Sequence, residues 1–306
     1  MTDSPITIRL GHSPDPDDAF MWWPLFVLDG APPRLDTGRF RFEPVMQDIE
    51  MLNRRSMSGE LEITAISVAQ YPQVKDTYAF TSCGSSMGDG YGPKLVAREP
   101  MMTLEDLKDP GVVIAVPGVR TSAFATTSLM LGAGAFKYEV VEFDRIIEAM
   151  VKGDYQAGLI IHEGQLTYAD SGLHLVEDLG HWWTKKTNLP LPLGGNVIRR
   201  DLETLYGQGT LQDVTTLLAQ SLEYALGHRE ESIAYAMDYA RDMGTDRADQ
   251  FVSMYVNKWT LDFGPMGRKA VSRFLNEVHA IGLGAHPGEV DFIEPQKSIA
   301  QGEKHV

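Results

Sequence analysis

The strongest constraint on this chain is that one strand–helix series runs out and a second begins. Over residues 1–97, stretches that read as strands (ITIRLGHS, RFRFEPVM, LEITAIS, KLVARE) are separated by stretches that read as helices, PDPDDAFMWWPLF and DIEMLNRRSM among them. Near residue 98 the series restarts. VVIAVPG, YEVVEF and YQAGLIIHEG read as strands, VRTSAFATTSLMLGAG and DRIIEAMVKG as helices. Beyond LPLPLGGNVIRRDL no strand pattern returns, and residues 211–226, 230–243, 248–256 and 265–281 carry apolar stripes of helical period. Alternating strands and helices dictate an α/β fold with largely parallel sheets. Two such series predict two lobes, residues 1–97 with 198–306 and residues 98–197, the helical tail packing on the first. Two lobes joined by two crossings leave a cleft, and open α/β sheets bind ligands at the C-terminal ends of their strands. Hinges are expected near 97–98 and 196–197.

Composition narrows the function. With 306 residues the chain is long enough for two cores, and 27 basic against 42 acidic residues give a net charge of −15. Such a field repels nucleic acid and anionic membrane surfaces, and no compact basic cluster offsets it. Cys83 is the single cysteine, which excludes an internal disulfide and a thiolate metal cage. The start, MTDSPITIRLGHS, has no apolar signal region, and no run of 18 apolar residues occurs, so a cytoplasmic protein is expected.

Chemistry concentrates at the ends of strands. In AGLIIHEG a buried run ends in His162. An isolated histidine is commonly a core residue satisfied by one hydrogen bond. At the C-terminal end of a strand, however, a neutral imidazole is placed to take a proton near pH 7. Glu163, its neighbour on an extended strand, is expected on the opposite face and at the surface. In VPGVRTSA, Thr121 and Ser122 open a helix whose free N–H groups attract an anion. Capping alone accounts for one of these hydroxyls. Ser67, in TAISVAQY, occupies a similar strand-to-helix position, and two such turns facing one cleft would suit a small-molecule carboxylate. In SPDPDDAF, Asp15 reads as an N-cap, Pro16 as the first helical residue, and Asp17 and Asp18 as complements to the helix dipole. With no His at ligand spacing, a metal site is not expected there. Gly84, Gly88, Gly90 and Gly92 match a phosphate loop only loosely, since no G-x-x-x-x-G-K-[ST] is present. The pairs Trp22–Trp23 and Trp182–Trp183 read as packing.

Taken together, LGHSPDPDDAFMWWPL, TAISVAQYPQV, GPKLVARE, AVPGVRTSA, AGLIIHEGQLTYADSGLHLVEDLGHWW and LPLPLGGNVIRRDL resemble the 1,4-dihydroxy-6-naphthoate synthase family. These are the cyclic dehypoxanthinyl futalosine-cleaving enzymes of the alternative menaquinone pathway. The likeness runs over nearly the whole chain in consistent order, and GLIIHE and LPLPLG are its most specific parts. It implies a two-lobed, periplasmic-binding-protein-like (type 2) fold with a ligand cleft between the lobes and a helical C-terminal tail. It also implies a cofactor-free lyase that releases dihydroxyacetone. The family's catalytic base falls on His162, its pair of ligand-binding hydroxyl residues on Thr121 and Ser122, and its other ligand-binding stretch on Ala65, Ile66 and Ser67. Two positions depart from the pattern. Ala65 stands where the family carries Lys, removing a partner for a substrate carboxylate, and SPDPDD stands where the family has SPCPND, adding negative charge at the cleft. Two competing functions share this architecture. A solute-binding protein would need a signal or anchor, and the sister chorismate-derived dehydratase lacks the GLIIHE histidine. The sequence fixes no oligomeric state.

Overall fold

The structure, a computed structural model, describes residues 4–240 and 243–296. Strands β1 (Ile6–His12), β2 (Phe40–Met46), β3 (Ile63–Ser67), β4 (Tyr78–Thr81) and β5 (Ser86–Gly88) come first. After a first crossing follow β6 (Lys94–Ala97), β7 (Val113–Val116), β8 (Lys137–Val140), β9 (Ala157–Ile160) and β10 (His174–Asp178). Beyond the return lie β11 (Leu191–Arg199) and β12 (Phe292–Ile293). They form a larger sheet in the order β12-β4-β11-β3-β1-β2, with β5 beside β11, and a smaller sheet in the order β10-β6-β9-β7-β8.

The expectation of largely parallel sheets needs correction. β1 runs parallel to β2 and β3, β12 to β4, and β7 to β8 and β9. β11, however, is antiparallel to β3, β4 and β5, and β6 is antiparallel to β9 and β10. The reason is the route of the chain. β6 carries it from the larger sheet to the smaller one with no helix between, and β11 brings it back after helix Leu179–Thr187. Each therefore enters from the cleft side, where its neighbours end: Gly194 lies opposite Ser67, and Lys94 opposite Ile160.

The crossings also fall earlier than the sequence suggested. Ala97 is paired with both Ala157 and His174 inside the smaller sheet, and Asn196 and Val197 lie mid-strand opposite Ala65 and Thr64. Grouped by the sheet they belong to, β1–β5, β11 and β12 define the larger lobe and β6–β10 the smaller one.

The C-terminal helices Thr210–Gly227, Arg229–Ala236 and Thr245–Tyr255 pack on the larger lobe around helix Pro16–Trp22. Phe20, Met21 and Trp22 share one core with Leu218, Leu222 and Val252. The helix expected over 230–243 stops at Ala236 and gives way to a 3-10 turn at Met237–Tyr239; residues 241–242 of the expected range lie outside the described residues. The tail is not strandless either, because β12 adds to the edge of β4. A second core is continuous between the lobes, joining Ile66, Val68 and Phe80 to Val116, Leu159 and Trp183. Trp183 meets Phe274 of helix Gly264–Ala280 edge-on at 5.6 Å, a geometry worth about 1 kcal/mol beyond the area it buries. Trp22, Trp23 and Trp183 are all buried, as packing residues should be.

Candidate active site

A cleft of about 700 Å³ separates the two sheets, and Ala65, Ile66, Ser67, Thr121, Ser122 and His162 all line it. The structure therefore brings all six residues singled out in the sequence to one place. What they do there differs.

Ala65, Ile66 and Ser67 end β3, which is buried along its whole length. Ser67 is clamped by Asn53, whose Oδ1 accepts the Ser67 N–H at 2.8 Å and whose Nδ2 donates to Ser67 Oγ at 3.0 Å. Across the cleft, Thr121 caps helix Ser122–Leu131. Its Oγ1 accepts the Phe124 N–H at 3.1 Å and donates to the Gly118 carbonyl at 2.8 Å. Ser122 reaches to the other lobe, where its Oγ accepts the Ala69 N–H at 3.1 Å and donates to the Leu193 carbonyl at 2.6 Å. A second tie between the lobes runs from the Arg120 N–H to Glu50 Oε2 at 3.1 Å. These hydroxyls are satisfied by the protein. What the turn leaves for a ligand is the Ser122 and Ala123 N–H groups that open the helix, since the Phe124 N–H is taken by Thr121.

The opposite wall is different. β9 ends at Ile160, and His162 takes a left-handed backbone conformation, φ 54°, which non-glycine residues adopt seldom. Its Nδ1 lies 2.7 Å from Asp15 Oδ2, across the cleft from its own lobe, and the Phe143 ring meets the imidazole edge-on at 4.7 Å. Its Nε2 has no hydrogen-bond partner in the protein. Burial alone would push the ring toward neutrality, but the carboxylates of Asp15, Glu163 and Asp17 outweigh it and raise His162 to about 9.

Three sequence expectations are corrected here. Asp15 makes no side-chain cap to its helix and instead pairs with His162. Asp17 and Asp18 are not exposed dipole complements but lie buried in the cleft wall. Burial and the neighbouring Asp15 carboxylate push Asp17 up to about 7. Burial and the Asp17 carboxylate push Asp18 well above its ordinary value, while Asp18 Oδ2 accepts the Ser13 N–H at 2.7 Å. Glu163 is buried rather than at the surface. The strand has ended three residues earlier, at Ile160, so the alternation of faces no longer applies to it.

Sequence reasoning also missed the tail's contribution. Phe251 and Tyr255 line the cleft from helix Thr245–Tyr255, with the Tyr255 hydroxyl donating to Gln165 Oε1 at 2.7 Å. Both sit on an ordinary apolar stripe, which carries no sign that one end overhangs a site. Among the described residues that line the cleft, none is Lys or Arg.

Comparisons with known proteins show the family and the fold. The menaquinone-biosynthesis family model matches residues 8–280. The chain is 40% identical over 281 residues to the 1,4-dihydroxy-6-naphthoate synthase of Thermus thermophilus, covering 91% of this chain and 96% of the relative. It is 32% identical to the Streptomyces coelicolor protein of the same name, over 90% of this chain and 94% of that one. A crystal structure of an Archaeoglobus fulgidus protein superposes with a TM-score of 0.80 at 40% identity, over 90% of this chain and 98% of that one. The alkanesulfonate-binding protein of Xanthomonas axonopodis, at 13% identity, superposes with a TM-score of 0.67 over 92% and 95% of the two chains, and shows the fold to be periplasmic-binding-protein-like. With a family model spanning both lobes and the cleft between them, the chain belongs to the menaquinone-biosynthesis family.

Proposed function

We propose that this cleft performs a carbon–carbon cleavage, converting cyclic dehypoxanthinyl futalosine to 1,4-dihydroxy-6-naphthoate and dihydroxyacetone with His162 as general base. The observation that carries the reading is the state of the imidazole. Nδ1 is held by Asp15 while Nε2, on a ring that lines the cleft, has no partner in the protein. An imidazole whose Nδ1–H is donated to a carboxylate presents a bare Nε2, the arrangement a base needs, and the carboxylate then stabilises the imidazolium that forms. The names of the two bacterial relatives supply the product. The raised proton affinity has a cost. At pH 7 roughly one ring in a hundred is neutral in the empty cleft for a group that titrates near 9. The reaction draws on that fraction. The substrate carboxylate, finding no Lys or Arg among the described lining residues, is held by the N–H groups that open helix Ser122–Leu131 and by the Ser67 turn. A cytoplasmic setting belongs to the same proposal. Among the described residues no helix is long and apolar enough to cross a membrane.

The test is to incubate the purified protein with cyclic dehypoxanthinyl futalosine and detect 1,4-dihydroxy-6-naphthoate by mass spectrometry, with His162→Asn alongside. Wild type should turn over and the variant should lose about 10²–10⁴-fold in kcat. Near-full activity in the variant overturns the base assignment. Binding without turnover by wild type overturns the lyase reading and leaves a binding protein.

A further inference from the structure

The partner of His162 comes from the other lobe. Asp15 precedes helix Pro16–Trp22 of the larger lobe, whereas His162 follows β9 of the smaller one, and the two meet at 2.7 Å with Asp15 only 2% exposed. A hydrogen bond that spans two lobes exists only while those lobes are together. We propose that Asp15 is a positioning residue whose pairing with His162 is assembled by closure of the cleft, so that the imidazole is oriented only in the closed form. This deepens the reading of His162 as the base and rests on it.

The surroundings support the coupling. The groups facing the imidazole are Asp15, Asp17 and Asp18 from the wall at helix Pro16–Trp22, Glu163 beside it, and Tyr255 from helix Thr245–Tyr255. The turn Phe143–Arg145 presents the Phe143 ring. Of the carboxylates, Asp15, Asp17 and Asp18 belong to the larger lobe, and only Glu163 moves with the histidine. Opening the cleft therefore withdraws most of the negative charge that opposes burial and frees the ring from its orienting bond. The left-handed backbone at His162 makes the tether informative. A residue in that conformation keeps it only where its surroundings hold it, and the Asp15 bond is one of the holds. A second tie between the lobes offers a way to break closure without touching the pair. Glu50 is buried and accepts the Arg120 N–H, and a Cβ added at Gly118 would stand 2.4 Å from Glu50 Oε2.

The experiment follows the His162 ring by NMR titration in the free protein, for wild type, Asp15→Asn, Asp15→Glu and Gly118→Trp, and measures kcat/KM against pH for the same four. In wild type the ring should titrate near 9. In Asp15→Asn, burial dominates, and the midpoint should drop below the ordinary histidine value of about 6.5. The rising limb of kcat/KM should move to lower pH with it, and activity above that limb should fall about 10²-fold, the scale of an ill-placed base. Asp15→Glu should recover part of both shifts, which a purely structural role would not produce. Gly118→Trp wedges Glu50 of the larger lobe away from the Arg120 turn of the smaller one, and should lower the His162 midpoint although both members of the pair are present. An unchanged titration in Asp15→Asn overturns the positioning role. A midpoint still near 9 in Gly118→Trp overturns the dependence on closure. Because the titration needs no substrate, it stands even where wild type fails to turn over, a result that would sink only the lyase reading.

Discussion

The two walls of the cleft are built to opposite rules. On the hydroxyl wall, Thr121, Ser122 and Ser67 have their side chains engaged by the protein's own backbone and by Asn53, and Ser122 serves as a bolt between the lobes. On the acid wall, Nε2 of His162 and Oδ1 of Asp17 are buried without a partner. An unmet buried polar atom is costly, and proteins keep such atoms where a ligand or a proton is to meet them. On the function proposed above, the difference means that one wall holds and the other reacts. Both look alike in sequence, as polar residues at the ends of strands.

The comparison can be broken by substitutions that separate rate from stability. The largest effect is expected on the acid wall, where His162→Asn should reduce kcat about 10²–10⁴-fold with KM held within a few-fold. A change confined to KM would mean that the histidine merely binds. Next comes Ser122→Ala. It strands the Leu193 carbonyl and the Ala69 N–H, so the midpoint of denaturant unfolding should fall by an amount worth about 1–3 kcal/mol while kcat stays within a few-fold. A collapse in kcat at unchanged stability would move this hydroxyl to the reacting side. The smallest effect is expected from Asp17→Asn. The Asp17 carboxylate is the last of the charges that raise His162, so removing it should release a little more neutral imidazole. kcat/KM at pH 7 should then rise about two- to five-fold, and the rising limb should shift slightly to lower pH. A large loss instead would make Asp17 a proton donor in the reaction.

The same contrast marks how far the residues could be read without the fold. Thr121 and Ser67 were legible because a strand, a turn and a helix start are local events, written in VVIAVPGVRTSA and TAISVAQY. His162 was legible because a buried run ends on it. Asp15 was visible as an acid at a helix start, yet its role was misread. Helix-dipole complementation is a sufficient local explanation for SPDPDD, and the histidine that makes it insufficient lies 147 residues away along the chain. Glu163 was misread because the alternation of strand faces was carried past Ile160, where the strand stops.

Local sequence pattern by itself determined the two strand–helix series, the helical tail, the packing role of Trp22 and Trp183, and four residues of one cleft, Ser67, Thr121, Ser122 and His162, because each depends on neighbours within a turn or a strand; Ala65 and Ile66 came from the family resemblance. Tertiary structure alone decided that β6 and β11 run backwards, since direction depends on the side from which a crossing chain enters a sheet. It alone brought Phe251 and Tyr255 over the site and set the Asp15 carboxylate against the His162 ring. Proton affinity is fixed by distances between charges and by burial. Both are properties of how the two lobes meet, and no stretch of the chain contains them.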